Sequence, residues 1–516
     1  MKRISRSVDT LDNIGDSIKL EDYGGGLNSS DSNEVLKDNE AIIKKNWWND
    51  EKGAITKVNG YTKKNSTKMA SKPITGLFRV YDPTSDELLA MCNGKLYFSD
   101  DDGTTFTQES GSVSFSSTAF NSGVNYNNLF FFTNTTDNVN HYTPGTTTAA
   151  AATDQPTDAC AVLFKRADRR LIALNNESNN STEYFSKVDP TGTDADDWSA
   201  SNDAGSIAID GAKSEKLIGG MTFGSVDIIF KSYAAFKVWG YPIPQVSRMP
   251  GSPGCVAPYS IAQGDGMGFF LAYDAVWMWD GNQFIEISKP IQSIIDGINS
   301  SYIQNAFGVY RNGLYWLFYS VSGSTTNQDC IIYDVSNSNP YEGKNIWCER
   351  DGLAINCPVK FDGVGDANEL YGGASASTGF VYRLDYSATG DDAGSNINAI
   401  YQTKYFNAGY PHLVKRFSKV HIRYYLSKGK INVNWYTERG AITGNFDLGP
   451  TQTGTRLGTF VLGTDYLVDP VETTHTERLP DTAIGKDISL KFTNDDTGDP
   501  PIIRDVEIEW EGIYSP

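Results

Sequence analysis

Pairs of short apolar segments joined by tight turns recur along most of this 516-residue chain, and this recurrence limits the folds open to it. One unit consists of Glu87–Cys92, Asn93-Gly94 and Lys95–Ser99. Asn-Gly between two strand-like segments predicts a β-hairpin, because both residues tolerate the type I′ turn. Similar units occur at Gly268–Trp279 and Val309–Tyr319. The chain is therefore predicted to be all-β, with repeated antiparallel sheets.

The spacing of these units predicts a β-propeller. Successive units lie about 45 residues apart, which matches propeller blades of ~40–50 residues. Residues 74–390 would then form about six to eight blades. An elongated stack of β-sheets, or an array of sandwiches, would give the same strand pattern and stays open as an alternative.

The regions on either side of the repeats have a different character. Residues 391–516 contain longer strands with strict alternation, such as Ile503–Trp510, which predicts a C-terminal β-sandwich with one face of each sheet buried. Residues 1–73 are predicted to supply an N-terminal arm and closing strands, with a polar arm over residues 1–22. This arm and an insert at 143–159 are candidates for subunit contacts or, equally, for surface loops.

One segment departs from the strand pattern. Isoleucines at helical spacing within residues 288–299 predict a helix, with Ser288 as its N-cap and Pro290 in its first turn. We expect this helix to connect two blades and to pack against a sheet. Its role would be structural.

The charge of the chain restricts its partners. Asp and Glu outnumber Lys and Arg by 63 to 44, which gives a formal net charge of −19. Such a surface argues against wrapping nucleic acid, because that mode of binding depends on Lys and Arg neutralising phosphates. It is compatible with a conduit whose acidic lining repels DNA.

Cysteine usage and hydropathy indicate a soluble protein made in a reducing cytoplasm. The cysteines form no Cys-X-X-Cys pair and are predicted to be buried free thiols: Cys92, Cys160, Cys255, Cys330, Cys348 and Cys357. No apolar segment follows the basic start of the chain, so we expect no secretion signal. No segment approaches ~18 apolar residues, so we expect no transmembrane helix.

No pattern of reactive residues predicts a catalytic, cofactor-binding or metal-binding site. His141, His412, His421 and His475 are far apart in the sequence and match no metal-binding motif. The glycine-rich segment Gly264–Gly268 lies between two strands rather than before a helix, so it predicts a turn and not a phosphate-binding loop. We therefore expect a protein that is not an enzyme and that uses no cofactor.

Acidic clusters and tryptophans each have two interpretations. Asp100–Gly103 and Asp194–Asp197 could bind Ca²⁺, but solvated turns fit better because neither has the ligand spacing of an EF-hand loop. The Trp47-Trp48 pair, Trp277 and Trp279 could stack on sugars, although packing in the core is the expected role.

Several segments, in the order in which they occur, match a known family. They are short structural segments rather than catalytic signatures: Gly24–Asn28, Asp38–Ala41, Gly53–Tyr61, Asp227–Lys231, Phe236–Gly240, Gly254–Ser260, Asp274–Gly281, Leu370–Ala374, Gly379–Tyr382 and Thr403–Phe417. Through them the chain resembles the tail hub or nozzle proteins, also described as DNA-stabilisation proteins, of short-tailed bacteriophages. The resemblance covers most of the chain. The chain differs from the family at Lys57–Tyr61, where the family usually has an Arg-Pro-Gly turn.

The resemblance implies a β-propeller protein that assembles as a homo-oligomeric ring, of six copies, around the axis of the phage tail. Such a ring extends the DNA channel below the portal and the head-to-tail adaptor, and it retains the packaged genome. DNA passes through it without sequence-specific binding, and the ring anchors the distal needle, plug or spikes. The implied location is the tail of the virion, after assembly in the host cytoplasm and without membrane insertion.

Two other functions remain open on the sequence. A receptor-binding propeller on the virion would need an exposed pocket lined by aromatic and polar groups. A glycan-degrading propeller would need a cleft with two carboxylates ~5–10 Å apart.

Overall fold

A computed structural model of the chain describes residues 15–49, 53–81, 86–111, 113–152, 154–166, 169–188, 198, 203–211, 215–363, 366–386, 391–437, 443–451 and 472–513. The chain forms two compact units. One unit comprises residues 61–386, and the other combines residues 1–60 with 387–516.

The described N-terminal residues form six short strands: β1 (Gly15–Leu20), β2 (Gly26–Leu27), β3 (Glu40–Lys45), β4 (Trp47–Asn49), β5 (Ile55–Lys57) and β6 (Gly60–Lys63). Strands β1, β3 and β5 pair with strands from the far end of the chain, β2 pairs with β3 and β4 pairs with β5. Strand β6 joins the sheet that closes the propeller.

Six groups of four consecutive antiparallel strands, the blades, follow one another in the larger unit. Blades 1 to 3 are built from β7 (Ile74–Val80), β8 (Glu87–Cys92), β9 (Lys95–Ser99) and β10 (Thr107–Gln108); β11 (Ser122–Tyr126), β12 (Leu129–Thr133), β13 (Asn140–Tyr142) and β14 (Ala149–Ala151); β15 (Cys160–Lys165), β16 (Leu171–Asn176), β17 (Thr182–Phe185) and β18 (Gly205–Ala208). Blades 4 to 6 are built from β19 (Gly219–Phe223), β20 (Val226–Lys231), β21 (Ala234–Trp239) and β22 (Gln245–Arg248); β23 (Ala262–Gly264), β24 (Met267–Leu271), β25 (Val276–Trp279) and β26 (Phe284–Glu286); β27 (Phe307–Arg311), β28 (Leu314–Tyr319), β29 (Asp329–Asp334) and β30 (Trp347–Arg350).

A closing sheet completes the ring of blades. Its first four strands are β31 (Ile355–Gly363), β32 (Asp366–Ala374), β33 (Val381–Tyr386) and β6. Next to β6, the Lys64 amide donates to the Val381 carbonyl at 2.9 Å. The innermost strand β31 in turn lies against β7 of blade 1. The predicted β-propeller is thus confirmed, and an early strand of the chain closes it.

The hairpin turns follow the predicted chemistry. Asn93 and Gly94 both have positive φ, of 54° and 70°, as a type I′ turn requires. Asn312 and Gly313 repeat this geometry in blade 6, with φ of 51° and 74°. Asn and Gly tolerate these angles at little cost, so they fix the hairpin register of these blades.

The last strands of the chain are β34 (Asp391–Asp392), β35 (Ser395–Asn396), β36 (Ala399–Thr403), β37 (Lys415–Tyr425), β38 (Ile431–Tyr436), β39 (Gly444–Leu448), β40 (Thr473–Arg478), β41 (Ile484–Gly485), β42 (Ser489–Asn494) and β43 (Ile502–Gly512). Most of them form two sheets. One sheet has the order β4-β5-β43-β37-β40, with β1 beside β43 and β41 beside β37. The other runs β3-β36-β42-β38-β39, with β2 beside β3.

Apolar side chains from both of these sheets meet in one buried core. Val420 and Ile508 come from the first sheet, and Val433 and Phe492 come from the second. All four are at most 1 % exposed. This arrangement confirms the predicted β-sandwich.

The division of the chain differs from the predicted segments 1–73, 74–390 and 391–516. The structure divides it after Gly60 and after Tyr386, and the N-terminal strands belong to the sandwich unit. Strand β1 pairs with β43 along its whole length. Pairing across almost the entire chain leaves no local signal in the sequence. Of the predicted arm, residues 1–14 lie outside the described residues, whereas residues 15–20 form β1.

The predicted helix over residues 288–299 is much shorter in the structure. A 3₁₀ turn at Lys289–Ile291 leads into α1 (Gln292–Ile295). Ser288 does not cap it with its side chain, because its hydroxyl accepts a hydrogen bond from the Val276 amide at 2.9 Å. Ile298 forms a β-bridge with Val321 instead of extending the helix.

This segment does connect blades 5 and 6, as expected. Further 3₁₀ turns occur at Pro258–Ser260, Ile303–Asn305 and Pro340–Glu342. In the part of the chain that the structure describes, helices are too short to cross a membrane.

Candidate functional site

A cavity lies on the propeller axis, where the innermost strands of the blades converge. Its volume is 320 Å³, at the lower end of the ~300–1,000 Å³ typical of small-molecule pockets. Each of the six blades and the closing sheet contributes to its lining, which includes Leu77, Gly123, Leu163, Gly220, Gly308 and Val359. The axis therefore holds a small space lined by both polar and apolar groups.

Glycines on the innermost strands allow this close convergence. A Cβ atom on Gly123 would lie 2.3 Å from the Phe130 ring, and one on Gly308 would lie 2.2 Å from the Ser260 carbonyl oxygen. Both distances are far below a normal van der Waals contact, so a larger residue would push the strands apart.

Three aromatic rings pack beside the axial cavity. The Tyr259 and Phe307 rings stack with their centroids 5.0 Å apart, and Phe120 meets both of them edge-on. The Tyr259 hydroxyl donates to the Phe120 carbonyl at 2.9 Å. These contacts join blades that are distant in sequence. The axis is consequently a packed core with a small pocket, and a DNA duplex does not fit through it.

A buried group of polar side chains links blades 3 and 4, and we name it the Glu183 cluster. It consists of Arg166, Glu183, Asp227 and Tyr241, with Thr222 donating to Asp227 at 2.8 Å. Arg166 forms an ion pair with Asp227. The Tyr241 hydroxyl hydrogen-bonds to Glu183 and lies 3.0 Å from Asp227 Oδ2. Four of these side chains thus converge on one point between two blades.

Burial decides the protonation of the Glu183 cluster. Glu183 and Asp227 are both 0 % exposed. Desolvation, and then the neighbouring Asp227 carboxylate, raises the pKa of Glu183 to about 8. Burial also raises the pKa of Asp227, against the opposing effect of Arg166. At neutral pH the Glu183 carboxyl therefore keeps its proton, while Asp227 shares its charge with Arg166.

These two carboxyl groups are sealed inside the protein, and this limits their chemistry. A glycosidase needs a pair of carboxyl groups that flank a substrate in an open cleft. Glu183 and Asp227 instead contact the same tyrosine hydroxyl and have no access to solvent. The cluster acts as a buried link between blades.

The histidines lie in both units, and His421 and His475 occupy neighbouring positions on the paired strands β37 and β40. His141 lies in blade 2, and the other three lie in the sandwich unit. His421 Nε2 is 3.1 Å from Glu509, and His475 Nε2 is 3.2 Å from Glu477. Among the described residues, no three His, Cys, Asp or Glu side chains are grouped so that they could hold a metal ion.

The first acidic cluster forms a hydrogen-bonded turn. The Asp101 carboxylate accepts hydrogen bonds from the Ser99 hydroxyl and from the Thr105 amide, both at 2.8 Å. Partial burial raises the pKa of Asp101, but the hydrogen bonds from Thr105 and Ser99 outweigh this effect and lower it. Its carboxylate thus stabilises the chain reversal. The second cluster, Asp194–Asp197, lies outside the described residues.

The tryptophans and cysteines belong mainly to the cores. Trp47 and Trp279 are at most 1 % exposed, and Trp277 packs against the apolar cluster that contains Trp279. All six cysteines are buried thiols that form no disulfide, as predicted. The insert at 143–159 supplies β14, the fourth strand of blade 2.

A second pocket opens at the hairpin turns of blades 1 to 3, and the sequence analysis missed it. We name it the Tyr81 pocket; its volume is 290 Å³, and it is lined by Tyr81, Asn125, Tyr126, Asn127, Asn128, Leu129, Lys165 and Arg169. These residues come from three separate turns, so no contiguous motif could have indicated the pocket.

Comparisons with known proteins return similar folds only. No family model and no curated protein matches the chain. A streptogramin B lyase structure aligns with a TM-score of 0.41 and 11 % identity, over 63 % of this chain and 96 % of that one. The WD40 repeats of RRP9 align with a TM-score of 0.43 and 11 % identity, over 64 % and 99 %. A virginiamycin B lyase from Staphylococcus aureus gives a TM-score of 0.39 and 11 % identity, over 61 % and 96 %.

Likeness at this level says nothing about activity. The strand order of this chain itself defines a β-propeller protein with an additional β-sandwich unit.

Proposed function

We propose that this chain is a structural component of a bacteriophage tail. In this proposal six copies form a ring on the tail axis below the portal and adaptor. The ring extends the DNA channel, retains the packaged genome and anchors the distal needle, plug or spikes. The chain acts without catalysis.

The observation that carries this proposal is where the family-like segments lie in the fold. Gly24–Asn28 includes β2, which pairs with β3 immediately after Asn39. Gly53–Tyr61 includes β5 and reaches β6, which completes the closing sheet. Gly379–Tyr382 lies beside β6 in the same sheet, where the Tyr61 and Tyr382 rings meet edge-on at 5.0 Å. The resemblance thus follows the segments that tie the fold together, as a shared structural role would require.

The axial cavity supports a conduit formed between copies rather than through one copy. A volume of 320 Å³ accommodates a small molecule, and the aromatic rings beside it fill the axis. DNA in such an assembly would run along the common axis of several copies. The net charge of −19 favours sliding over adhesion, since like charges repel the phosphates.

The Glu183 cluster supports a role without catalysis. Its two carboxyl groups are the kind of pair that a glycan-degrading enzyme uses, but they lie in the interface between blades 3 and 4 with 0 % exposure. A buried, hydrogen-bonded pair of this kind fixes how two sheets pack.

Immunogold labelling of intact and DNA-free particles of the source virus tests the proposal. We expect label at the base of the tail axis, and we expect particles assembled without the protein to lose their DNA. Label restricted to peripheral fibres, or absent from the particles, would overturn the proposal.

A further inference from the structure

The axial cavity lies between strand edges that belong to no ladder. The innermost strand of every blade, and β31 of the closing sheet, is the terminal strand of its sheet. A terminal strand leaves one row of backbone N–H and C=O groups outside the ladder. In a propeller this row faces the central axis. The backbone therefore offers the cavity hydrogen-bond donors and acceptors that carry no net charge.

The side chains of the axial cavity add no charge either. The part of its lining that the structure describes contains no Asp, Glu, Lys, Arg or His. Burial raises the pKa of the Cys357 thiol and of the Tyr259 hydroxyl, so both groups keep their protons at neutral pH. An ion that entered this space would lose its hydration and gain no counter-ion, which is strongly unfavourable. The cavity consequently selects against charged ligands.

Aromatic side chains supply much of the apolar lining. Phe78, Phe164 and Phe307 reach the cavity from the innermost strands of blades 1, 3 and 6. Tyr259 also lines the cavity, and its ring stacks on Phe307. Aromatic rings pack well against other rings, either offset-stacked or edge-on. A ring-shaped ligand therefore suits this lining better than a flexible chain does.

Hydrogen bonds between neighbouring blades hold the cavity walls in place. The Ser122 hydroxyl accepts a hydrogen bond from the Leu163 amide at 3.0 Å and so joins blades 2 and 3. The Gln263 side chain donates to the Thr222 carbonyl at 2.8 Å and so joins blades 5 and 4. The cavity thus has its shape before any ligand arrives, which reduces the entropy lost on binding.

The volume of the axial cavity limits the size of its ligand. Filled to the density of a protein interior, about 0.75, its 320 Å³ would hold a molecule of about 240 Å³. A molecule of that size has two or three small rings. A polymer segment or a large cofactor would not fit.

We propose that the axial cavity binds an uncharged molecule of two or three rings that carries one or two hydrogen-bonding groups. The rings would pack among Phe78, Phe164 and Phe307, and the backbone groups of the innermost strands would pair with the polar substituents. This site does not depend on the tail-ring proposal, because a ligand inside one copy leaves a channel between copies open.

Fluorescence titration of the full chain with two matched probes tests this proposal. N-phenyl-1-naphthylamine is uncharged, and 8-anilino-1-naphthalenesulfonate has the same ring skeleton with one added negative charge. We expect saturable binding of one molecule of the uncharged probe per chain, with the sulfonate at least roughly tenfold weaker. Equal affinity for the two probes, or no saturable binding of the uncharged one, would overturn the proposal.

A variant and a mapping experiment locate the binding site. Val359 lines the cavity, so Val359→Phe should reduce its volume and weaken binding of the uncharged probe at least roughly tenfold. Val35→Phe is the matched control, because Val35 is a 68 % exposed valine of the sandwich unit. Circular dichroism checks that both variants fold.

Hydrogen exchange on the parent chain gives a readout that does not depend on the folding of any variant. The uncharged probe should slow exchange in peptides that contain β11, β27 and β31, and it should leave β37 of the sandwich unchanged. Unchanged affinity in folded Val359→Phe, or protection confined to the sandwich unit, would overturn the proposal.

Discussion

One ion pair of the propeller and one ion pair of the sandwich differ sharply in burial. In the propeller, Arg166 and Asp227 form an ion pair that is almost completely buried between two blades. In the sandwich, Arg423 and Asp505 pair at 2.6 Å on a sheet surface with half and about a third of their side chains exposed. Both units are made of antiparallel strands, so the strand itself does not explain the difference.

The burial pattern along the strands explains why the two ion pairs differ in exposure. All six residues of β8 are buried, because a blade packs against a neighbour on each face. In β43 buried and part-exposed residues alternate over much of the strand, because the sheet has one core face and one outer face. Asp227, near the start of a blade strand, is therefore enclosed by the neighbouring blade, whereas Asp505 on the outer face of the sandwich stays in contact with water. The four predictions below test this contrast.

Removing one partner of the buried ion pair should have the largest effect. Asp227→Ala leaves the Arg166 charge buried without its counterion, and we expect a loss of ~3–5 kcal/mol in the free energy of unfolding. Asp505→Ala, the matched change on the sandwich surface, should cost about 0–1 kcal/mol. Urea denaturation measures both. Equal losses for the two variants would mean that the contrast between the units does not hold.

The sandwich should depend chiefly on its apolar core. Leu490 is 0 % exposed within that core, so Leu490→Ala should cost ~2–5 kcal/mol. The nearby Thr493 side chain on the same strand is only part-buried, and Thr493→Ala should cost less than about 1 kcal/mol. Hydrogen exchange resolved by peptide should locate the Leu490→Ala effect in the sandwich unit, including its N-terminal strands. A loss spread evenly over the propeller would contradict a separate sandwich core.

Rising pH should weaken the propeller. Burial and the Asp227 charge raise the pKa of Glu183 to about 8, so the folded state holds a proton that the unfolded state releases above the ordinary pKa of glutamate. The stabilising contribution is complete below that ordinary pKa and is lost as the pH rises through about 8. Unfolding experiments between pH 5 and 9 should show a decline that Glu183→Gln removes. A decline of the same size in Glu183→Gln would assign it to other groups.

The sandwich surface should respond in the opposite direction and more weakly. Hydrogen bonds from Lys419 and then from His421 lower the pKa of Glu509, so its contribution is present above the ordinary pKa of glutamate and is lost on acidification. A double-mutant cycle of Lys419→Ala and Glu509→Gln should give a coupling of about 0.2–1 kcal/mol that salt reduces. A larger, salt-independent coupling would show that this pair is not screened by solvent.

The blades were predictable because their signals are local. The Asn93-Gly94 turn and the apolar segments on either side of it specify one hairpin with little help from the rest of the chain. The pairing of β1 with β43 and the closing role of β6 were not predictable in the same way, because each joins segments hundreds of residues apart. The helix after Ser288 was predicted too long, since Ile298 found a strand partner in Val321.

The functional surfaces were less predictable than the fold. The Glu183 cluster combines residues from four strands or turns, and each is unremarkable in the sequence. The Tyr81 pocket depends on three turns brought together by the ring of blades. These scattered residues are brought together only by the topology of the propeller. A single sequence contains no signal that they lie close together in space.

Electron microscopy of the purified protein in negative stain tests the proposed tail ring most directly. The account predicts ring-shaped particles, sixfold in class averages, with an opening on the common axis between copies. Their symmetry axis should match the tail axis when the same rings are seen in particles. Isolated monomers at all concentrations, together with a peripheral position in the virion, would contradict a tail conduit.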